Sequence, residues 1–476
     1  MDTLFRHEFH PSILREYDIR GVVGKTLFEN DAQALGVVFA SVLRQQGLND
    51  VIVGHDGRDS SPGLEWALVE GLVSGGVSVR RLRCCATPEL YFASFREQTA
   101  GAIMVTGSHN PVGYNGFKIL LDNQPFFGAA LRGIAQNLRD GVRLGGQIGR
   151  ESGYSAEGRY EMALADGLRH RARKLRIVWD NSHSSASHAL GRLLPRLPGE
   201  HIVLNGTVDG LFPAHHPDPT LPENMVQLQR AVRDHAADLG VAFDGDADRL
   251  GAVDETGALI PSDRLCLLFA QAILMERPGA MILGDVKMSQ VFFDGVVAAG
   301  GRVAMCPSGH SEVKSEMHET DAAFAGEMSG HFFFADLWPG FDDGLYAAIR
   351  LIDLLAGQGE PLSALCDSLP QQVSTPEIRF DCDDNIKFGV IERIIARCRA
   401  AGDDLVLTDG LRVKEGKGWW LLRASNTQPA LVARVEGCDH FACHDMIVRI
   451  AALLRDEGVS LPAIEGFPLV PGEAGR

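Results

Sequence analysis

Five short polar stretches hold residue types at spacings that could do chemistry. The first is Thr106-Gly107-Ser108-His109-Asn110-Pro111, with Tyr114-Asn115-Gly116-Phe117-Lys118 just beyond it. A serine hydroxyl is a poor nucleophile until a base or a cation acts on it. His109 offers a base and Lys118 a fixed positive charge. Cations suit phosphoryl groups, whose transfer depends mainly on positioning and charge neutralisation. The second is Asp244-Gly245-Asp246-Ala247-Asp248-Arg249. Carboxylates at alternate positions of an extended or turning loop can face one side, and three so close repel unless a cation joins them. Oxygen-only ligands suit Mg²⁺, which keeps few protein ligands and takes the rest from water or phosphate. An EF-hand does not fit, because Glu255 precedes the turn at Thr256-Gly257 and no helices flank the loop.

The third stretch, Glu327-Met328-Ser329-Gly330-His331, puts a carboxylate and a hydroxyl where they could bond adjacent hydroxyls of a sugar ring. The fourth, Arg423-Ala424-Ser425-Asn426-Thr427, joins a guanidinium, two hydroxyls, an amide and turn N–H groups into a cradle for a phosphate dianion. The fifth is Tyr17-Asp18-Ile19-Arg20-Gly21; Lys287 and Ser308-Gly309-His310 complete the set. Taken singly, each also fits a plainer role as a polar loop, a solvated acidic turn or a capped turn. His183, His188, His215 and His216 read as structural, Pro213 to Pro219 as a connector, and the Trp419-Trp420 pair as core.

In open α/β sheets, ligands gather beyond the carboxyl ends of the strands, and the polar clusters follow strand-like runs. Ala102–Val105 leads into the serine loop, Leu239–Phe243 into the aspartates, and 322–325 into Glu327. Upstream, Val51–Gly54 is a strand, and Ser60-Ser61-Pro62 opens a helix with a capping serine and an early proline. Asp31 to Gln46 is an amphipathic helix ended by Gly47. Arg176–Trp179 and His201–Leu204 start a second strand–helix cycle. A third holds a helix capped by Ser262-Asp263, strands at 281–283 and 303–305, and a closing helix from Asp343 to Ala356. Successive βα cycles predict mixed or parallel sheets covered by helices. After Pro370 the texture changes to strands at 373–380 and 419–423 with helices near 386–400 and 440–455.

At 476 residues the chain has room for about three domains. Its 45% hydrophobic and 22% charged residues are ordinary for a globular protein, and a net charge of −17 argues against nucleic acid or an anionic membrane as partner. The nine scattered cysteines form no C-x-x-C pair, which fits a reduced, cytoplasmic setting. No apolar run reaches membrane-spanning length, and the first nine residues lack a signal-peptide core.

As a set, the five stretches resemble the α-D-phosphohexomutase family, in its phosphomannomutase/phosphoglucomutase branch, over residues 12 to 465. The resemblance implies three similar α/β domains with mixed sheets, plus a smaller C-terminal α+β domain, around a central cleft. The divisions expected are 1–155 with the phosphoserine loop, 156–256 with the metal loop, 257–369 with the sugar loop, 370–465 with the phosphate cradle, and a flexible tail from 466 to 476. It implies that Ser108 is carried as phosphoserine and that Mg²⁺ lies between it and Asp244, Asp246 and Asp248. Glu327 and Ser329 would grip sugar hydroxyls. Arg423, Ser425, Asn426, Thr427 and Tyr17 would hold the phosphate not being transferred, with Arg249, Lys287 and His310 also facing substrate. Arg20, Lys118 and Arg249 would neutralise the moving group, and His331 and Lys118, ahead of His109, would handle the sugar proton.

The implied reaction moves phosphate between the 1- and 6-positions of glucose or mannose phosphates through a 1,6-bisphosphate, with glucose 1,6-bisphosphate as activator and a monomeric enzyme. Phosphoglucosamine mutase is an alternative within the class, opposed by Met328 where glutamine is expected. A phosphosugar-binding protein without turnover and a bisphosphate phosphatase are others. Two departures stand out: Asp180-Asn181-Ser182-His183-Ser184-Ser185 replaces a glycine-rich turn without touching a predicted ligand, and Met-Ser-Gln follows Lys287 where a more basic run is expected.

Overall fold

The computed structural model describes residues 4–144, 148–425, 429–464, 466 and 467. Its first sheet runs Ile19–Val22, Tyr114–Leu121, Gly101–Val105, Asp50–His55, Ser78–Cys84 and Glu151–Gly153, with Gln124–Pro125 on the second of these strands. The neighbours from Gly101–Val105 onward are parallel, and the first two pairings are antiparallel. Gly101–Val105 is buried throughout, so a continuous apolar run is what its two-sided environment requires. Helix Glu29–Gln45 begins with Asp31 accepting from the Phe28 N–H at 2.7 Å and crosses helix Ser61–Ser74 closely. A Cβ on Gly36 would stand 2.3 Å from the Leu68 carbonyl oxygen, so that crossing requires glycine.

The second sheet orders Gly199–Leu204, Leu175–Asp180, Leu239–Phe243, Leu250–Asp254 and Leu259–Ile260; the third orders Arg302–Cys306, Met281–Asp285, Phe324–Gly326 and Phe332–Phe334. Both have parallel centres with an antiparallel edge. The last sheet is antiparallel, built on Ala430–Gly437 and Gly418–Ala424, and carries helices Lys387–Ala401 and His440–Asp456. The expected class, three α/β units and a smaller α+β unit, is what folds.

One apolar cluster joins the first three units, from Ile52 and Phe92 through Trp179 and Phe243 to Phe324 and Leu355, while the first unit has a second core of its own around Phe39, Val53 and Phe117. The fourth unit has a separate core around Trp420, Val435 and Ile447. Between third and fourth lies a small cluster of Val286, Trp419 and Leu421. Both tryptophans are therefore core, as expected, but in different places. Among the described residues no helix is long and apolar enough to cross a membrane.

Several local expectations change. Residues 373–380 form two strands, Val373–Ser374 and Ile378–Asp381, because Pro376 between them has no N–H to give the ladder. Neither Ser60 nor the Ser262-Asp263 pair caps its helix through a side chain: the second helix starts at Ser262 after Pro261, and Asp263 instead meets Arg434 at 3.3 Å. Leu259–Ile260 pairs with Leu250–Asp254, so the second sheet passes the division expected at 256. Phe467 is buried in the last core, so the chain is held to that point; the rest of the expected tail lies outside the described residues.

Candidate active site

Strand Gly101–Val105 delivers Thr106 and the loop after it. Ser108 takes a left-handed φ of +47° while its N–H bonds Thr106 Oγ1 at 2.8 Å and the Gly107 N–H bonds Asp56 Oδ2 at 2.8 Å. That conformation turns the hydroxyl toward the second unit. Ser108 Oγ donates to Asp244 Oδ2 at 2.8 Å and lies 3.1 Å from His109 Nδ1. Asp244 begins the loop after strand Leu239–Phe243, so two strand ends from separate sheets meet at this bond.

Asp244, Asp246 and Asp248 are all fully buried, and one carboxylate oxygen from each can lie within 4.8 Å of the others. Lys118 lies among them, with Nζ 2.8 Å from Asp246 Oδ2 and in contact with Asp248 Oδ2. Charge crowding splits the trio. Burial, then Asp248 and Asp246, raise the Asp244 carboxyl well above its ordinary value. Burial works the same way on Asp248, but Lys118 and His331 overcome it and hold that group well below. Asp246 also ends below its usual range, burial and Asp248 being outweighed by Lys118 and Thr87.

Asp246 Oδ1 is buried and accepts no hydrogen bond, and Asp248 Oδ1 faces His331 Nε2 at the long distance of 3.3 Å. These carboxylate oxygens, beside a third carboxylate and a serine hydroxyl, form a hard, all-oxygen donor set, which fits Mg²⁺.

The third unit supplies the next wall. Glu327 follows strand Phe324–Gly326, accepts from the Gly309 N–H at 2.7 Å, and lies 3.1 Å from His331 Nδ1. Burial opposes its ionisation, but the bond to His331 lowers its pKa, so it is anionic. Ser329 Oγ is 2.9 Å from His331 Nδ1. His331 Nε2 is 3.3 Å from Asp248 Oδ1 and 3.3 Å from Arg249 Nε, linking sugar loop to aspartate loop. Burial depresses its pKa, yet Asp248 prevails and raises it to about 9. Lys118, likewise raised against burial by Asp246 and Asp248, is a cation. Both groups expected to accept the sugar proton thus hold protons as placed. His109 is neutral instead, depressed by burial, Arg249 and Arg20. His310 is neutral too, depressed by burial and Lys314, and stands 3.7 Å from Asp342.

Arg20 contacts the Thr106 carbonyl and Asp18, beneath the serine loop, and Arg249 Nη2 reaches to 3.4 Å from His109 Nε2. The fourth unit closes the opposite side. Arg423 Nη2 pairs with Asp409 Oδ2 at 2.8 Å, and that carboxylate also accepts from the Ser308 N–H at 3.2 Å. Lys287 Nζ lies 3.3 Å from Glu377 Oε2 and 3.6 Å from Asp285 Oδ2. Tyr17 OH donates to the Ser308 carbonyl at 2.6 Å, and its ring covers Gly309, where a Cβ would stand 2.5 Å from a ring carbon. Ser425 is buried at the end of strand Gly418–Ala424. Asn426 and Thr427 lie outside the described residues.

The serine loop, the aspartates, Lys118, Arg249 and the Glu327–His331 turn are thus one connected network, bordered by the Lys287, Tyr17 and Arg423 side. Sequence reasoning missed Asp56, Arg58, Asp285, Asp342, Glu377 and Asp409. The first three stand where strands end, Asp56 and Arg58 after Asp50–His55 and Asp285 at the end of Met281–Asp285, but the sequence carries no signal for the groups they hold. The two departures sit close to the site. Ser185 N–H bonds the Gly245 carbonyl at 3.2 Å, so the altered second-unit turn meets the backbone of the aspartate loop, at a residue that is not one of the predicted ligands. After Lys287, Met288 is core, Ser289 caps helix Gln290–Ala298, and the Gln290 N–H bonds Glu436 of the fourth unit at 2.9 Å.

Four family models match the chain in order, described as phosphoglucomutase/phosphomannomutase alpha/beta/alpha domains I, II and III and C-terminal domain, over residues 11–141, 160–257, 261–373 and 377–453. The chain belongs to the phosphoglucomutase/phosphomannomutase family. It is therefore an enzyme of an isomerase-type phosphotransferase family. Relatives in that family include a phosphomannomutase/phosphoglucomutase of Pseudomonas aeruginosa, 39% identical over 97% of each chain, and a phosphoglucomutase of Neisseria gonorrhoeae, 39% identical over 93% of this chain and 96% of that one. A solved phosphoglucomutase/phosphomannomutase family protein of Burkholderia thailandensis is 38% identical, covers 95% of this chain and 100% of its own, and superposes with a TM-score of 0.89.

Proposed function

We propose that the protein interconverts the 1- and 6-phosphates of glucose and mannose through a phosphoserine at Ser108 and a hexose 1,6-bisphosphate. The observation that carries this is the Ser108 Oγ–Asp244 bond, made inside a trio of buried carboxylates threaded by Lys118. In the first half-reaction the bond from phosphorus to Ser108 Oγ breaks and one to the free sugar hydroxyl forms. The hydroxyl proton leaves to the protein, and the serine oxygen keeps the bonding pair. The bisphosphate then turns end for end, and the reverse chemistry at its other end restores phosphoserine and releases the isomeric monophosphate. Glucose 1,6-bisphosphate would prime an unphosphorylated enzyme by the same step.

Asp244, Asp246 and Asp248, with the Ser108 oxygen, would hold Mg²⁺. When bound, the ion supplies positive charge that offsets the phosphoryl group and competes with the protons of Lys118 and His331 for the same carboxylates. We assign the sugar proton to His331 or Lys118 in its deprotonated form. Each holds a proton against burial because carboxylate charge, from Asp248 for both and from Asp246 also for Lys118, raises its pKa. Release of that proton, favoured when a metal ion offsets those carboxylates, would come before the sugar's is taken up. His331 also touches both hydroxyl-gripping residues. Arg20, Lys118 and Arg249 neutralise the phosphoryl group, while Glu327 and Ser329 orient the hexose. Arg423, Ser425 and Tyr17 hold the phosphate at rest, with Lys287 and His310 beside it. Burial of this set excludes the water that would hydrolyse both phosphorylated species.

The test pairs intact mass with turnover. Wild-type protein given Mg²⁺ and a trace of glucose 1,6-bisphosphate is expected to carry one phosphate on Ser108 and to convert glucose 1-phosphate to glucose 6-phosphate. The Ser108→Ala protein should do neither. Turnover by Ser108→Ala would overturn the reading, and inorganic phosphate released in step with sugar turnover would make the protein a phosphatase. A strong preference for glucosamine 6-phosphate would move it to the amino-sugar branch.

A further inference from the structure

The reading of Ser108 as phosphoryl carrier raises the question of what holds its loop. Six residues, Ser108 to Gly113, carry no strand or helix hydrogen bonds of their own, and Ser108 is in a left-handed conformation. Such a conformation costs a non-glycine residue of order 1 kcal/mol and persists only where the surroundings impose it. Beside the Ser108 N–H bond to Thr106 and the hydroxyl bond to Asp244, one side chain gathers most of the loop's carbonyls. Arg58 is 2% exposed, and its Nη2 donates to the carbonyls of Ser108 at 2.7 Å and Asn110 at 2.6 Å. Its Nη1 donates to those of Pro111 at 2.7 Å, Tyr114 at 3.2 Å and Val112 at 3.3 Å. Four loop carbonyls and that of Tyr114, which opens the next strand, therefore converge on one guanidinium. Its Nε end is braced 3.3 Å from Asp56 Oδ2, the same oxygen that accepts the Gly107 N–H.

We propose that Arg58 is the positioning residue on which the catalytic loop is moulded, setting where Ser108 Oγ points without touching it. A planar cation with donors along two edges can satisfy carbonyls spread around a loop, which a lysine's single ammonium cannot. The clamp is also seated against the second unit. Phe212 lies over the guanidinium at 5.1 Å, and a Cβ on Gly210 would stand 2.6 Å from Arg58 Cα. On the far side of the loop, a Cβ on Gly245 would stand 2.6 Å from the Ser108 carbonyl oxygen, the atom that Arg58 grips. Serine and aspartate loops are thus registered through the backbone as well as through the Ser108–Asp244 bond. Among the described residues none of the sugar- or phosphate-gripping side chains is bonded to Arg58, so its loss should leave substrate binding largely intact.

The experiment compares Arg58→Ala and Arg58→Lys with wild type in full-length, Mg²⁺-loaded enzyme, with folding checked by circular dichroism and melting. A displacement of Ser108 Oγ by about 1 Å should lower kcat about a hundredfold, while KM for glucose 1-phosphate stays within about threefold. Phosphorylation of Ser108 by glucose 1,6-bisphosphate, read by intact mass, should slow with kcat. Added guanidinium ion should restore part of the kcat of Arg58→Ala. If Arg58→Ala does not fold, Arg58→Lys decides. A folded Arg58→Lys enzyme with wild-type kcat would overturn the proposal, as would a defect confined to KM. If Ser108→Ala itself turned over substrate, the carrier reading would fall; with Ser108→Ala inert and Arg58→Lys at wild-type kcat, only the positioning role falls.

Discussion

Replacing Lys118 by methionine removes the one ammonium that lies among the aspartates and keeps most of its volume. The ammonium is 3% exposed and 2.8 Å from Asp246 Oδ2, with Asp248 Oδ2 in contact as well. A unit-charge pair at that separation is worth about 6 kcal/mol at an effective dielectric constant of 20. Desolvating the ammonium offsets part of this, and breaking a buried pair typically costs about 3–5 kcal/mol, so about 4 kcal/mol is the working figure. The first three units are joined by one apolar cluster and should melt together. For a unit of about 370 residues with about 2.1 cal/mol/K of unfolding entropy per residue, 4 kcal/mol lowers Tm by about 5 °C.

Two conditions make the prediction specific. The deficit should be largest at pH 8 in EDTA and shrink toward pH 5.5, because aspartates that have lost their partner gain protons instead. Mg²⁺ at saturating concentration should raise the Tm of Lys118→Met more than that of wild type, since any ion that binds only the folded state stabilises it, by about 2.7 kcal/mol at 100 times Kd. Differential scanning calorimetry with and without chelator reads both effects. A Lys118→Met protein that melts at the wild-type temperature in EDTA at pH 8 would refute the view that this ammonium is what lets three carboxylates be buried together.

Two further outcomes are expected. Burial, with Glu161 adding to it against Arg192, raises Glu89 from 4.5 to about 7. The folded state therefore keeps a proton that the unfolded chain loses near pH 4.5, so stability falls as pH rises through 4.5 to 7 and stays lower above that. Glu89→Gln should be more stable than wild type by up to about 3 kcal/mol at pH 8 and no more stable at pH 4, a contrast that urea titrations at the two pH values would measure. Glu327→Gln keeps the side chain's shape but weakens its bond to His331 and to sugar hydroxyls. It should lower kcat/KM for glucose 1-phosphate by about 10–100-fold, in line with the loss of a charge-assisted hydrogen bond, and initial rates would check it.

The loops that the fold brings together were legible as candidates because chemistry restricts residue type. Serine beside histidine, three alternating aspartates and a glutamate–serine pair remain recognisable wherever they stand, and each follows an apolar run that reads as a strand. What supports them was not legible. Asp56 acts on a loop 50 residues downstream, and Asp409 joins Arg423 to the Ser308 backbone more than 100 residues away in sequence. Such residues look like ordinary turn aspartates until the sheets are assembled. The same holds for Arg58, whose five partners are backbone carbonyls that leave no trace in the sequence. Protonation was illegible for a related reason. His331 and His109 have the same side chain, and only the carboxylate at 3.3 Å from one and the arginines near the other drive them in opposite directions.

The division of cores bears on how a bisphosphate could turn within this site. Serine, aspartates, Lys118 and Glu327 all stand on units joined by one continuous apolar cluster, so their mutual distances are fixed by packing that is costly to disturb. Arg423 and Ser425 stand on the unit with its own core, joined to the rest by the Val286–Trp419–Leu421 cluster, by Arg412 donating to the Val286 and Met288 carbonyls at 2.8 Å each, and by polar pairs such as Lys287–Glu377. The apolar part of that seam is small, and its remaining links are polar and largely buried, with Arg434 also donating to the Lys287 carbonyl at 2.6 Å. On the proposed mechanism, freedom for the sugar to reverse would come more readily from the fourth unit, which has its own core, than from the reacting groups, which stand on units joined by one cluster. The two demands of that mechanism would then fall on different bodies: one would hold the phosphoryl chemistry in place, and the other would release and regrip the phosphate at rest.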